Sequence, residues 1–242
     1  MVIVNADDFG MNESCSRAIC EAFRLGLVTD TTMMANVRYF DEAVRLAKEN
    51  GFFDKIGIHL NLTEGEPLTE EIKAFPEYVR DGRFHKKRDM TKPPTRELES
   101  AVYAELRAQI EKLRDAGIAI THADSHHYVH TTESVIDVAV KVLKEYSIRK
   151  VRLRLNLGDV PDTEKSEVIN QRLRNEGFVT VKHFVKLAHT KQSGIPDNTE
   201  ILVHPDYDRY GRLIDRRGVE NGCPVGEPIP KLNTALGSYA EL

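Results

Sequence analysis

Tryptophan is absent from this chain of 242 residues, and cysteine occurs only three times. Cys15, Cys20 and Cys223 are odd in number and spaced like neither a disulfide framework nor a zinc knuckle. A reducing cytoplasm is therefore the expected location. No apolar run approaches the roughly 18 residues that span a bilayer, so no membrane partner is expected. The opening residues, Met1 to Asp8, carry no basic stretch followed by an apolar one, so a signal peptide is not expected either. There is no basic block, and the formal net charge of -4 argues against a nucleic-acid partner. Neither Gly-x-Gly-x-x-Gly nor a P-loop occurs, so nucleotide binding has no support. With 40% hydrophobic and 30% charged residues, the composition fits one large globular domain.

Histidine, by contrast, is concentrated. Thr121-His122-Ala123-Asp124-Ser125-His126-His127-Tyr128-Val129-His130 holds four of the nine histidines and a carboxylate. Ile118-Ala119-Ile120 just before it is apolar and bounded by Gly117, which predicts a short buried strand. If the strand continues, its period of two places His122, Asp124 and His126 on one face. Two imidazoles and a carboxylate at a strand end are the donors of a divalent metal site. His126 and His130 are also one helical turn apart, a second arrangement the spacing permits.

Strand and helix alternate along the rest of the chain. Strands are predicted at Val2-Ile3-Val4, Thr31 to Ala35, Ile56 to Leu62, Val151 to Leu155, Val179 to Val181 and Ile201 to Val203. Helices are predicted from an Asn12 or Ser14 cap to Leu25, along Phe40, Ala43, Val44 and Ala47, from Thr95 to Gly117, after the histidine cluster, and near Lys165 to Arg174. A polar excursion at about 63–94 interrupts the alternation, and loops of that length usually carry function. Repeated alternation implies a parallel sheet covered by helices, and seven or so strands fit a distorted (β/α) barrel, TIM-like and single-domain. Polar residues follow the strands: Asp7 and Asp8, His59, the histidine cluster and His204. In a barrel, that is where an active site is built.

Val4-Asn5-Ala6-Asp7-Asp8-Phe9-Gly10, Gly57-Ile58-His59-Leu60-Asn61-Leu62-Thr63 and the histidine motif resemble, in order and spacing, the YdjC-like carbohydrate deacetylases, also called chitooligosaccharide deacetylases. With Val203-His204-Pro205, the similarity covers nearly the whole chain. It implies a metal-dependent hydrolase that removes acetyl from a small N-acetylated sugar. It also implies Asp8, His59 and His126 as ligands and Asp7 as catalytic base. Arg152 and Tyr128 are expected at the substrate, and Tyr128 stands where many relatives have histidine. A homodimer is carried as a further expectation. The resemblance implies magnesium, whereas two imidazoles and one carboxylate suit zinc, manganese or cobalt better by ligand softness.

The chemistry of the residues is consistent with this. A bound cation polarises an acetamide carbonyl and acidifies water, Asp7 can accept the water's proton, and His204 can protonate the departing amine. Asp124 can orient a ligand imidazole. Blander readings exist for each: Asp7 as a helix cap, His59 as a core histidine, His204 as a strand end, Arg152 in a surface ion pair. Two rival functions are a two-metal hydrolase of phosphoesters or cyclic amides, drawing on His122, His127 and His130, and a non-catalytic sugar- or metal-binding protein. Cys15 and Cys20 are expected in the core; His85, His183 and His189 are expected on the surface. Since sugars need an aromatic face and Trp is lacking, Phe75, Tyr78 and Phe84 make the excursion a candidate lid over the site.

Overall fold

A computed structural model describes residues 1–86, 94–192, 194–217, 219–220, 223–224 and 227–242. In chain order, the elements that position the site are β1 (Val2–Phe9), α1 (Glu13–Arg24), β2 (Asp30–Met33), α2 (Phe40–Glu49) and β3 (Ile56–Leu60). A small hairpin, β4 (Val79–Arg80) and β5 (Arg83–Phe84), precedes α3 (Arg96–Asp115). Then come β6 (Ala123–Ser125), α4 (Ile136–Glu145), α5 (Thr163–Asn175), β7 (His183–Lys186), β8 (Thr199–Val203), β9 (Pro205–Tyr207) and β10 (Leu213–Asp215). Local chemistry sets several boundaries. The Asn12 side chain accepts from Cys15 N at the start of α1, Thr95 does the same for Leu98 N at α3, and Gly26 leaves α1 at φ +67°.

Six strands form one parallel sheet in the order β6-β3-β2-β1-β8-β7. β1, β2, β3 and β8 are buried along their whole length, as strands covered on both faces must be. The sheet curls but is not a complete eight-stranded barrel among the described residues. The predicted strand 151–155 contributes only single bridges, Ala123 with Val151 and Lys150 with Val179, and the stretch 179–181 joins only through Val179. The reason is visible in the hydrogen bonds. Asn170 of α5 takes both backbone groups of Arg154, its Oδ1 accepting from the N–H (2.7 Å) and its Nδ2 donating to the carbonyl (3.0 Å). The Asn156 side chain likewise accepts from Phe184 N (2.8 Å) and donates to Lys182 O (2.9 Å). Side-chain amides thus replace ladder bonds where the barrel would close. The strand in that region begins later, at His183, and Ile118-Ala119-Ile120 likewise precedes β6 without being strand.

The described part of the excursion, 63–86, is built differently from the lid expected of it. Ile72, Tyr78, Val79 and Phe84 are buried in the main core and Phe75 packs against it. Leu68 N and Thr69 N both donate to Glu105 of α3 (2.9 Å each), which pins the segment to that helix. Residues 87–93 of the excursion lie outside the described residues. Cys15 and Cys20 are buried, as expected. Among the described residues no helix is long and apolar enough to cross a membrane.

Candidate metal centre and catalytic pocket

Asp7 and Asp8 are neighbours, and in a regular strand neighbours point to opposite faces. β1 breaks that rule at its end. Its pairing with β2 shifts between Ala6 and Phe9, where three steps on β1 match two on β2, and Asp8 takes the left-handed conformation at φ +70°. An extra residue of this kind re-aims side chains. Both carboxylates consequently reach the same end of the sheet.

Asp8 meets two imidazoles there. Its Oδ1 lies 3.1 Å from His59 Nε2 and 2.7 Å from His126 Nδ1. The ligand atoms of Asp8, His59 and His126 all lie within 4.8 Å of one another, and all three residues are buried. Three electron-pair donors converge only if something positive sits among them. Burial raises the Asp8 carboxyl, but the His126 and His59 hydrogen bonds outweigh it and hold Asp8 well below its usual range. Burial likewise pushes His59 down, but Asp124, Asp8 and Asp7 together raise it to about 10. Protons thus supply the charge a cation would supply, and the buried His126 Nε2 has no hydrogen-bond partner among the described residues. The donor set fits a divalent ion. Asp124 Oδ1 lies 2.6 Å from His59 Nδ1 and fixes that ring, the expected role of Asp124.

Asp7 is held by Arg152. Nη1 donates to Asp7 Oδ2 (2.7 Å), Nη2 to Oδ1 (2.6 Å), Nη1 also meets Asp124 Oδ2 (2.5 Å), and Nε donates to Glu200 Oε1 (2.7 Å). Burial pushes the Asp7 carboxyl up, but the Arg152 charge and hydrogen bonds prevail and lower it, so Asp7 is ionised at neutral pH. Arg152 is 0% exposed and its guanidinium is committed to three carboxylates. It stands behind Asp7 and is not among the residues lining the cavity, although a place at the substrate was expected of it. Tyr239 near the C-terminus donates to Glu200 Oε2 (2.5 Å) and stacks on His122 with ring centroids 3.8 Å apart.

These residues open into a cavity of about 480 Å³ whose lining includes Asp7, His59, His126, Tyr128 and His204. His204 Nε2 is 4.0 Å from Asp8 Oδ2, and Nδ1 is 3.8 Å from Asp215 Oδ1. Burial lowers the His204 imidazole to about 4 despite Asp8 and Asp7. Tyr128 follows His127 in the left-handed region (φ +57° and +54°) and sets its ring edge against Phe184. The structure therefore brings together Asp7, Asp8, His59, His126, Tyr128 and His204, with Arg152 behind Asp7. It turns two of the surplus histidines, His122 and His130, away from the Asp8 cluster, whereas His127 lines the cavity and forms a second group of possible ligands with Glu64 and His126. His122 has Thr121 Oγ1 on one nitrogen (2.8 Å) and Asn5 Oδ1 on the other (3.0 Å). Gly57 leaves the room, since a Cβ there would lie 2.6 Å from the His122 ring. His130 has Ser125 Oγ (2.5 Å) and the Arg152 carbonyl (3.1 Å). His189, expected on the surface, lines the cavity with Lys186 and Arg217. Arg216 was not singled out from the sequence, yet its Nη2 donates to Asp8 Oδ2. It sits in a stretch of the chain whose local pattern gives no sign of the site.

A family model described as YdjC-like protein matches residues 1–221. A carbohydrate deacetylase of Clostridium beijerinckii is 35% identical over 212 residues, covering 85% of this chain and 81% of the relative. A carbohydrate deacetylase of Brevibacillus brevis is 34% identical with the same coverage, and one of Oceanobacillus iheyensis is 34% identical over 85% of each chain. A crystal structure from Enterococcus faecalis V583 superposes with a TM-score of 0.65 at 24% identity, over 86% of this chain and 82% of that one, a likeness of fold.

Proposed function

The chain belongs to the YdjC-like family, and from that premise we propose that it is a metal-dependent hydrolase releasing acetate from N-acetylglucosamine-containing mono- or short oligosaccharides. The observation that carries this reading is the convergence of Asp8, His59 and His126 beside an Arg152-held Asp7 at one cavity. Asp8, His59 and His126 would hold the ion, which when bound polarises an acetamide carbonyl and acidifies water. Asp7, ionised and fixed by two hydrogen bonds, accepts the water's proton. His204 faces the site from the end of β8 and is placed to protonate the departing amine; burial lowers its imidazole to about 4, so it is neutral at pH 7 and takes up a proton during turnover before passing it on. Tyr128 offers an aromatic wall for the sugar ring.

One ion per chain is expected, because His122 and His130 have both nitrogens engaged elsewhere and His127 Nδ1 faces Thr63 Oγ1 at 2.9 Å. Two ions per chain would bring in the Glu64, His126 and His127 group and favour the two-metal reading. Magnesium follows from the family resemblance and zinc, as the alternative, from ligand softness. The test measures acetate released from N-acetylglucosamine and its di- and trisaccharides with magnesium, manganese, cobalt or zinc supplied in turn, alongside elemental content. His59→Ala and His126→Ala should lose ion and turnover together while remaining folded. No acetate from any of these sugars with any of the four ions would sink the proposal.

A further inference from the structure

The two imidazoles facing Asp8 differ on their far sides. His59 Nδ1 has the Asp124 carboxylate at 2.6 Å. His126 Nε2 is buried, with the residue only 3% exposed, and has no hydrogen-bond partner among the described residues. Glu64 Oε1 lies 4.0 Å from it, beyond hydrogen-bond reach, and is engaged by Lys86 Nζ at 2.8 Å. The backbone beneath Glu64 is fixed without its side chain. Its carbonyl accepts from Asn36 Nδ2 (3.0 Å) and Asn61 Nδ2 (2.7 Å), and its N–H donates to Asn61 Oδ1 (3.2 Å). Side-chain rotation alone separates this carboxylate from the imidazole.

We propose that Glu64 is a positioning residue for His126, closing on Nε2 to give that ligand the carboxylate support that Asp124 gives His59. An imidazole that offers one nitrogen to a cation carries its proton on the other. A buried N–H left without an acceptor is costly, and a carboxylate acceptor fixes the ring and raises its basicity. Asp124 is fully buried and shared with Arg152, so it is permanently in place. The Glu64 side chain is 39% exposed and shared with Lys86, so its support can be given or withdrawn. Both Glu64 and Lys86 belong to the excursion after β3, which ties the ion to that segment although the segment's aromatics are in the core.

The inference rests on the reading of Asp8, His59 and His126 as ion ligands, and the test separates the two. Zinc affinity and stoichiometry are measured by calorimetry on the full chain for wild type, Glu64→Ala, Glu64→Gln and His126→Ala, with unfolding of the metal-free proteins as control. Glu64→Ala should bind zinc about 10- to 100-fold more weakly at unchanged metal-free stability. Glu64→Gln, which still accepts a hydrogen bond, should lose less. Wild-type affinity in Glu64→Ala, with binding abolished in His126→Ala, would overturn the role of Glu64 and leave the ion site standing. Undiminished binding in His126→Ala would overturn the site itself. Two ions in wild type and one in Glu64→Ala would make Glu64 a ligand, and the positioning role would fall.

Discussion

Arg152 grips Asp7 by both oxygens, at 2.7 and 2.6 Å, in a pair almost wholly withdrawn from solvent. The β1 bulge delivers Asp7 to the site, but this fork sets the angle of its carboxylate. A bidentate guanidinium fixes orientation as well as charge, which a lysine cannot do.

Asp7→Asn should therefore keep the ion and lose turnover by about two to four orders of magnitude, the range for a removed general base. Arg152→Lys should retain charge but lose the fork, lowering turnover with ion content unchanged. Acetate release and elemental content distinguish the two roles. An Asp7→Asn enzyme with near-normal turnover would move the base elsewhere.

Ion affinity should rise with pH. His59 without the ion is raised to about 10 by Asp124, Asp8 and Asp7, against burial. It must be neutral to bind, so below pH 10 each ion displaces a proton. Affinity should climb by about tenfold per pH unit for that proton between pH 6 and 8. Calorimetry in buffers of different ionisation enthalpy reads the released proton directly. A pH-independent affinity would mean that His59 is not a ligand.

The ends of β1, β3 and β8 were legible in the sequence because buried parallel strands are short apolar runs, and the polar residue after each run stands out. Asp8, His59 and His204 stand out in that way. The Asp8 bulge was not legible, since a left-handed aspartate leaves no mark on periodicity. Nor was the barrel's open side: Val151 to Leu155 has a strand's composition, but Asn170, distant in sequence, takes both backbone groups of Arg154, and the Asn156 side chain engages the backbone of Lys182 and Phe184. Glu64, His189 and Arg216 reach the site through tertiary folding alone. The aromatic residues of the excursion misled for a related reason, because an aromatic among charges reads equally as a sugar wall or as a core anchor.

Stability in mild acid should depend on His130. Burial and the Arg152 charge hold its imidazole down at about 4, although the Arg152 carbonyl at Nε2 pulls the other way. The unfolded chain takes up this proton near pH 6.5, the folded one only near 4. The associated stability is fully present above pH 6.5 and is lost as pH falls towards 4. His130→Asn, which cannot titrate, should be less stable at pH 7 but show a flatter decline in that window, followed by denaturant unfolding of the metal-free protein. Equal slopes in the two proteins would contradict the assignment.

The excursion's aromatics and the cavity's aromatic should fail in opposite ways. Phe84 is 6% exposed and packed in the main core, whereas Tyr128 lines the cavity beside His126. Truncating a buried phenylalanine leaves a void that its neighbours fill only in part, so Phe84→Ala should cost about 3–5 kcal/mol of stability. Its KM for an N-acetylated disaccharide, measured well below the unfolding transition, should not change. Tyr128→Ala should raise that KM about tenfold, equivalent to roughly 1.4 kcal/mol of lost contact, with a smaller loss of stability because the ring is only half-buried. Denaturant midpoints and KM values on the same two variants decide the matter. A raised KM in Phe84→Ala at full stability would restore the excursion as a wall of the sugar site. An unchanged KM in Tyr128→Ala would instead place the sugar against the Lys186 and His189 side of the cavity.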